Sequence, residues 1–244
     1  MKKIYFTSIL AVLSLVNCGS LPGSGEKKSY FEKTPDEINT TVALKEFLTK
    51  NKSPKVVLRV NNSTNKLTEN ENVEALYAII EKELMANGFE VRDRQLFNQI
   101  VGNSENTMDY SNLNKTTDTD LIIELMEMNT KVPYTTNIYT DGKTGETKTS
   151  MFPYTNYGRN IEFKVIIIKT NQFAGSYKFN YTPCTDGCIT QQATPSFKEL
   201  KEMRKQRANV PRTPEGFSVM YSKKENEDFV RLYTQKLIQA MRSN

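Results

Sequence analysis

The hydrophobic positions of the chain alternate between two periods. Val56-Val57-Leu58-Arg59-Val60 is β-branched and apolar, and Asn61-Asn62-Ser63-Thr64-Asn65 stops it, which predicts a strand. Val73, Leu76, Tyr77, Ile80 and Leu84 then recur at helical spacing behind a Thr68/Glu71 capping box, and Asn87-Gly88 closes that helix. A short strand at Phe89 to Arg92 leads to Asp93, which caps a second helix with Leu96, Phe97 and Ile100 inward. Past a polar loop, Leu121 to Met126 predicts a strand. Ile161 to Ile168 and Tyr177 to Tyr181 predict an antiparallel pair around a turn at Asn171 to Gly175. Asp228 to Met241 predicts a closing helix with Phe229, Leu232, Tyr233, Leu237 and Met241 on one face. Upstream, Thr34-Pro35-Asp36-Glu37 reads as the start of an amphipathic helix reaching about Lys50, with Ile38, Val42, Phe47 and Leu48 inward.

The order β-α-β-α-β-β-β-α implies an α/β sandwich: a mixed sheet with helices packed on it, plus an inserted β-hairpin and the N-terminal amphipathic helix. It forms one domain over 34–244, with insertions at about 130–160 and 182–225. No internal repeat is present.

The first eighteen residues add an address. Met1-Lys2-Lys3 is a basic start and Ile4 to Val16 an apolar run of 13 residues, too short for a bilayer span of ~20 but suited to a secretory signal. The run ends Leu15-Val16-Asn17-Cys18, which resembles the lipobox of bacterial lipoprotein precursors, with Asn17 in place of the usual Gly or Ala. The resemblance implies a signal peptide over 1–17 and acylation of Cys18, including a palmitate-type chain. A flexible tether then follows over 18–33, where Gly, Ser, Pro and Lys dominate its start. By the same resemblance, Gly19-Ser20 after the cysteine, in place of an acidic inner-membrane retention signal, implies the periplasmic side of the outer membrane.

Composition narrows the chemistry. A 37% hydrophobic fraction with 12 Tyr and 12 Phe is enough for a packed core. The net charge is +5, and loss of residues 1–17 removes Lys2 and Lys3, so the mature chain is only mildly basic and no nucleic-acid partner is expected. With no His, Ser-His and Cys-His hydrolysis and His-based zinc chemistry are excluded. The carboxylates Asp93, Asp118, Asp120, Glu124 and Glu127 are scattered, Trp is absent, and no phosphate or dinucleotide glycine pattern occurs. The reading is a non-enzyme without cofactor or metal.

The element order, with its local phrases, resembles the core domain of the curli-secretion lipoprotein family. Related folds are the lipoprotein activators of penicillin-binding proteins and the amino-terminal domain of the Tol-system propeller protein. The matching phrases are Val56 to Ser63, Gly88-Phe89-Glu90-Val91-Arg92-Asp93-Arg94, Thr119-Asp120-Leu121-Ile122-Ile123-Glu124, and Val165 to Tyr177 around Gly175. Thr119 stands where the family has Ala, and the first strand lacks a terminal Phe. The resemblance covers about 55–181 and the last helix. It implies membrane hairpins after the third strand and after the fifth, here near Tyr181 to Thr194.

The first of these positions holds a hairpin signal. Asp141-Gly142-Lys143-Thr144-Gly145-Glu146 is a turn, and each flank is about the ~9–11 residues of a membrane strand. Tyr134, Ile138, Tyr139, Met151, Phe152 and Tyr154 are the candidate contact residues, for lipid or for a partner in water. The face Val132, Tyr134, Thr136, Ile138, Thr140, Thr147, Thr149, Met151, Pro153 is half Thr, which speaks against lipid. Cys184 and Cys188 are expected to pair in an oxidising periplasm as a structural staple, since the spacing is not the redox C-x-x-C. A predicted charged helix over Ser196 to Arg207 precedes a basic cluster of Arg204, Lys205, Arg207 and Arg212, read as a solvated face or as a patch for anionic lipid.

These observations point to a non-catalytic outer-membrane lipoprotein in envelope assembly or protein export, held by lipid at Cys18 and acting through an envelope protein partner or by self-association. The alternatives are a periplasmic regulator of cell-wall synthesis and a subunit of an oligomeric secretion channel.

Overall fold

Two strands of 21 residues each, β6 (Leu121–Asp141) and β7 (Thr147–Ile167), organise the molecule. The structure is a computed structural model that describes residues 26–60, 65–66, 73–101, 117–191, 201, 205 and 221–243. Before this pair come β1 (Lys27–Ser29), β2 (Glu37–Thr40), α1 (Val42–Lys50), β3 (Lys55–Val60), β4 (Asn65–Lys66), α2 (Val73–Ala86), β5 (Glu90–Val91) and α3 (Arg94–Val101). After it come a 3-10 turn (Ile168–Thr170), β8 (Gln172–Tyr181), β9 (Cys188–Gln191) and α4 (Lys223–Arg242).

The nine strands of the described residues form one mixed sheet whose main path is β2-β8-β7-β6-β1-β9, with β3 and β4 beside β6 and β5 beyond β3. β6 uses its other side three times, the middle stretch pairing in parallel with β4 at Asn65↔Met128 and Lys66↔Asn129. Along its first part it pairs in parallel with β3, from Val56↔Leu121 to Val60↔Leu125, and near its end it pairs antiparallel with β1. The parallel β3–β6 pair is the reason that part reads as continuous apolar sequence, since both faces are covered. One face packs under α1, α2 and α4, where Leu58, Leu125, Phe163, Tyr177 and Phe179 meet Leu44, Ile80, Leu84, Tyr233 and Leu237. Phe163 and Phe179 are fully buried, contributing ~2–3 kcal/mol each. On the other face Val57, Ile122, Ile166 and Ile168 pack with Phe97 of α3.

The fold is thus the expected mixed sheet with helices packed on it, with four further strands, β1, β2, β4 and β9. The N-terminal helix is shorter than predicted. Residues 37–40 form strand β2 on the edge of β8, Ile38 opposite Tyr177, and the helix begins only after Thr41, whose hydroxyl accepts from Leu44 N at 3.3 Å. Pairing with an open edge here outcompetes the Thr34-Pro35 helix signal, and Ile38 and Val42 are exposed rather than inward. Leu96 and Leu232 are likewise exposed, whereas Phe97, Tyr233 and Leu237 are buried as the spacing predicts. The expected tether 18–33 stops short, because Lys27–Ser29 is already strand β1. α4 starts five residues earlier than predicted, at a Ser222/Glu225 capping box whose pattern the sequence displays.

Candidate functional site

The buried cluster beneath the helices stops at Met128 on β6 and Ile161 on β7, yet both strands continue. Their outer parts, 131–141 and 147–158, form an arm about 36 Å long at ~3.3 Å per residue. Its tip is closed by Asp141 and Glu146: Asp141 N donates to the Glu146 carbonyl at 3.0 Å, and Gly145, at φ 69°, donates back to the Asp141 carbonyl at 2.8 Å. The backbone N–H of Lys143 and the ammonium of Lys148 hold the Asp141 carboxyl below its ordinary range. Asp141 in turn holds the Lys148 ammonium above its own.

The arm is fixed to the body at its base. Arg159 is 6% exposed, and the Glu225 carboxylate attracts it from a distance rather than in a direct ion pair. One guanidinium nitrogen donates to the Glu225 carbonyl at 2.7 Å and to Asn226 Oδ1 at 3.0 Å, at the first turn of α4. The guanidinium lies 3.8 Å from the Tyr221 ring centre, 4.9 Å from that of Phe229 and 5.1 Å from that of Tyr181. Burial pushes its pKa down, and the aromatic faces supply part of the compensation that water would have given. Tyr221 donates its hydroxyl to the Tyr157 carbonyl. Beside Arg159, Gly158 leaves room for the Tyr134 ring, whose Cε2 would stand 2.6 Å from a Cβ there.

A disulfide joins Cys184 to Cys188 and folds the chain back after β8. Asn156 Nδ2 faces both sulfurs, at 3.1 and 3.3 Å. The following strand β9 does not return to β8 as a second hairpin. It pairs with β1, Ser29↔Cys188, and β1 pairs with the arm tip, Lys27↔Asp141 and Ser29↔Tyr139. The outer sheet is therefore β7-β6-β1-β9. Glu26 also accepts from Gly142 N at 2.6 Å, so the N-terminal strand is tied to the turn itself.

The six residues that sequence assigns to the hairpin do not share one surface. Tyr134 lies over Gly158, and Tyr139 is buried with Lys27 Nζ 4.6 Å above its ring and Tyr154 edge-on at 6.3 Å. Ile138 is half-exposed. Met151 and Phe152 are 89% and 74% exposed. Register explains them: Thr136 opposes Tyr154 and Ile138 opposes Thr149, so Asn137 alone faces the four residues Ser150, Met151, Phe152 and Pro153. This bulge throws Met151 and Phe152 off the ladder. Elsewhere the arm is threaded with Thr, Thr135 and Thr155 meeting across the strands at 3.2 Å. Neither surface is continuously apolar.

Of the other sequence-derived residues, Cys18, Arg204, Arg207 and Arg212 lie outside the described residues, and Lys205 is exposed. The carboxylates serve as ties. Glu124 pairs with Arg59 at 2.6 Å and Lys164 at 3.2 Å, and Asp118 pairs with Lys55 at 2.6 Å and Arg92 at 2.8 Å. The Lys55 ammonium, aided by Arg92, keeps the Asp118 carboxyl below its ordinary value. A cleft of about 450 Å³ runs between α2 and α3, bounded by Glu81, Met85 and Arg92 to Gln95. Burial raises the Glu81 carboxyl there, against the pull of Arg94. Among the described residues no group of three or more Cys, Asp or Glu is placed to hold a metal, and no helix is long and apolar enough to cross a membrane.

Arg159 escapes sequence reasoning, because nothing in its neighbourhood marks a buried cation. Gly158 and Pro153 do carry signals: a lone Gly within a strand marks close backbone approach, and a Pro within one marks a bulge.

No protein-family profile matches the sequence, and no curated protein does. Among solved structures the chain is similar to a PelC dodecamer from Paraburkholderia phytofirmans that carries a single Leu-to-Met substitution, with a TM-score of 0.38 and 8% identity over 86% of this chain and 100% of that one. It is also similar to a second PelC dodecamer structure from the same organism, with a TM-score of 0.36 and 8% identity over 86% of this chain and 99% of that one.

Proposed function

We propose that this protein is a non-catalytic lipoprotein of the bacterial outer membrane, anchored on the periplasmic side through acylated Cys18, that serves envelope assembly or export by joining other subunits through its arm. The observation that carries the reading is the outer sheet β7-β6-β1-β9. Among the described residues, the far edge of β9 and that of β7 outward from Thr155 have no strand partner, whereas Asn156 and Tyr157 are already covered by the disulfide loop and Tyr221. Unpaired edges are templates for another strand. Because the two edges differ, joining β9 of one copy to β7 of the next is head-to-tail and generates a ring or a filament. The same two edges favour the channel subunit as a second reading, while the Thr-rich surfaces argue for an aqueous wall. A regulator reaching across the periplasm fits less well: Cys18 lies eight residue steps before Glu26, a reach of at most ~29 Å at ~3.6 Å per residue.

The test combines location and mass. Cys18→Ser is expected to lose acylation and move the protein from the membrane to the soluble fraction. Light scattering of the detergent-extracted wild type is expected to give a multi-subunit mass, and the double substitution Thr155→Lys and Ile189→Lys, which protects the two sheet edges, to reduce it to a monomer. A wild type that is monomeric and gives no crosslinked envelope partner through 131–158 overturns the reading.

A further inference from the structure

We infer that the Met151–Phe152 bulge is a second membrane contact, a wedge that enters the lipid interface beside the acyl anchor. The inference rests on the proposed anchorage at Cys18 and adds the partner of the arm's apolar knob. Three observations lead to it.

The first is the knob itself. Met151 and Phe152 are the two most exposed large apolar side chains among the described residues, and they are adjacent. Single exposed hydrophobics are ordinary, but a pair lifted off a strand by a bulge of one residue against four is a directed feature. Phe152 N donates to Ser150 Oγ at 3.2 Å, which ties the bulge back on itself rather than to the ladder.

The second is the length of chain between Cys18 and the first described residue, Glu26. Cys18 lies eight residues before Glu26, and Glu26 and Lys27 are fixed to Gly142 and Asp141 at the arm's tip. The lipid at Cys18 is thus never more than ~29 Å from that tip. β1 pairs with β6, and β6 with the strand that carries the bulge, so the bulge lies two strand spacings across and about two residues along from Ser29, ~12 Å in all. The far end of the sheet is elsewhere: Phe173 pairs with Ile166, about 14 residues or ~45 Å along β7 from Phe152.

The third is that Ile138, opposite the foot of the bulge, is the one other large apolar side chain exposed on the arm, whose remaining exposed positions are Thr, Pro, Gly, Lys, Asn and Glu and form no apolar belt. Such an arm rests at the headgroup level, where a Phe and a Met reach the acyl boundary and hydroxyls stay wet. Two points of contact, acyl chains and wedge, orient the body where one tether would let it swing.

The chain contains no Trp, so a single introduced one reports without background. Acylated protein carrying Phe152→Trp, and separately Phe173→Trp, is reconstituted on vesicles of phosphatidylethanolamine and phosphatidylglycerol, with and without bromine on the acyl chains. The expected result is blue-shifted emission from position 152 that falls several-fold on brominated lipid, and water-like, unquenched emission from position 173. Water-like emission at 152 from protein that remains on the vesicles overturns the wedge and leaves the anchor intact. Blue emission at 152 that brominated lipid does not quench overturns it in favour of a contact with protein. Equal quenching at both positions overturns the orientation. Protein that washes off the vesicles removes the anchor, and with it the wedge.

Discussion

Arg159 and Asn226 lock the arm to the last helix: the guanidinium donates to Asn226 Oδ1 at 3.0 Å and to the neighbouring Glu225 carbonyl at 2.7 Å, inside a ring of Tyr221, Phe229 and Tyr181. Removing it leaves two acceptors short of a donor and three aromatic faces without their cation. Arg159→Ala is expected to cost about 2–4 kcal/mol in urea unfolding. Arg159→Lys should recover less than half, because an ammonium lacks the planar face that stacks on the rings.

Gly158 carries the close approach of two tyrosines. A Cβ there would meet the Tyr181 carbonyl and the Tyr134 ring. Backbone cannot retreat as a side chain can, so Gly158→Ala is expected to lower stability by roughly 1–3 kcal/mol, measured in the same unfolding experiment. Tyr134→Ala alone would leave the Tyr181 clash and should not rescue it.

The Cys184–Cys188 bridge closes a five-residue loop and delivers the chain to β9. Chain entropy for so short a loop is worth about 2 kcal/mol. Replacing both cysteines by Ser is expected to lower stability by that order and to speed amide exchange in β9 and β1 ahead of the rest of the sheet.

Asp141 gives the arm tip a pH response. Its carboxyl titrates below the unfolded value because Lys143 N–H and Lys148 stabilise the charged form. That contribution is complete above the unfolded carboxylate range and is lost as pH falls through the depressed folded value. Asp141→Asn should therefore melt below wild type at pH 7, with the gap closing as the solution becomes strongly acid.

How much of this was legible in the sequence depended on whether a feature is local. Leu76, Tyr77, Ile80 and Leu84 reveal α2 because a helix buries a stripe that its own spacing displays. The hairpin turn at 141–146 was visible for the same reason. β2 was hidden: residues 37–40 carry a helix-start signal, and only the edge of β8, more than a hundred residues away, makes them a strand. Met151 and Phe152 were visible as hydrophobic positions, but their exposure arises from a register slip that no alternation pattern encodes. Arg159 was invisible because its burial depends on rings from β8, α4 and residue 221 together.

The pairing of β1 also constrains the order in which the chain can assemble. A ribosome makes the chain from its N-terminus, so residues 27–29 emerge first, whereas their neighbours 139–141 and 188–191 emerge more than a hundred residues later. Until then the opening strand has nothing to join, and a lone three-residue strand does not hold by itself. The segment that follows Cys18 is thus set in place only after residues 139–141 and 188–191 have emerged. A chain truncated before residue 139 is expected to leave it permanently unpaired, available to proteases or to a chaperone that binds extended backbone.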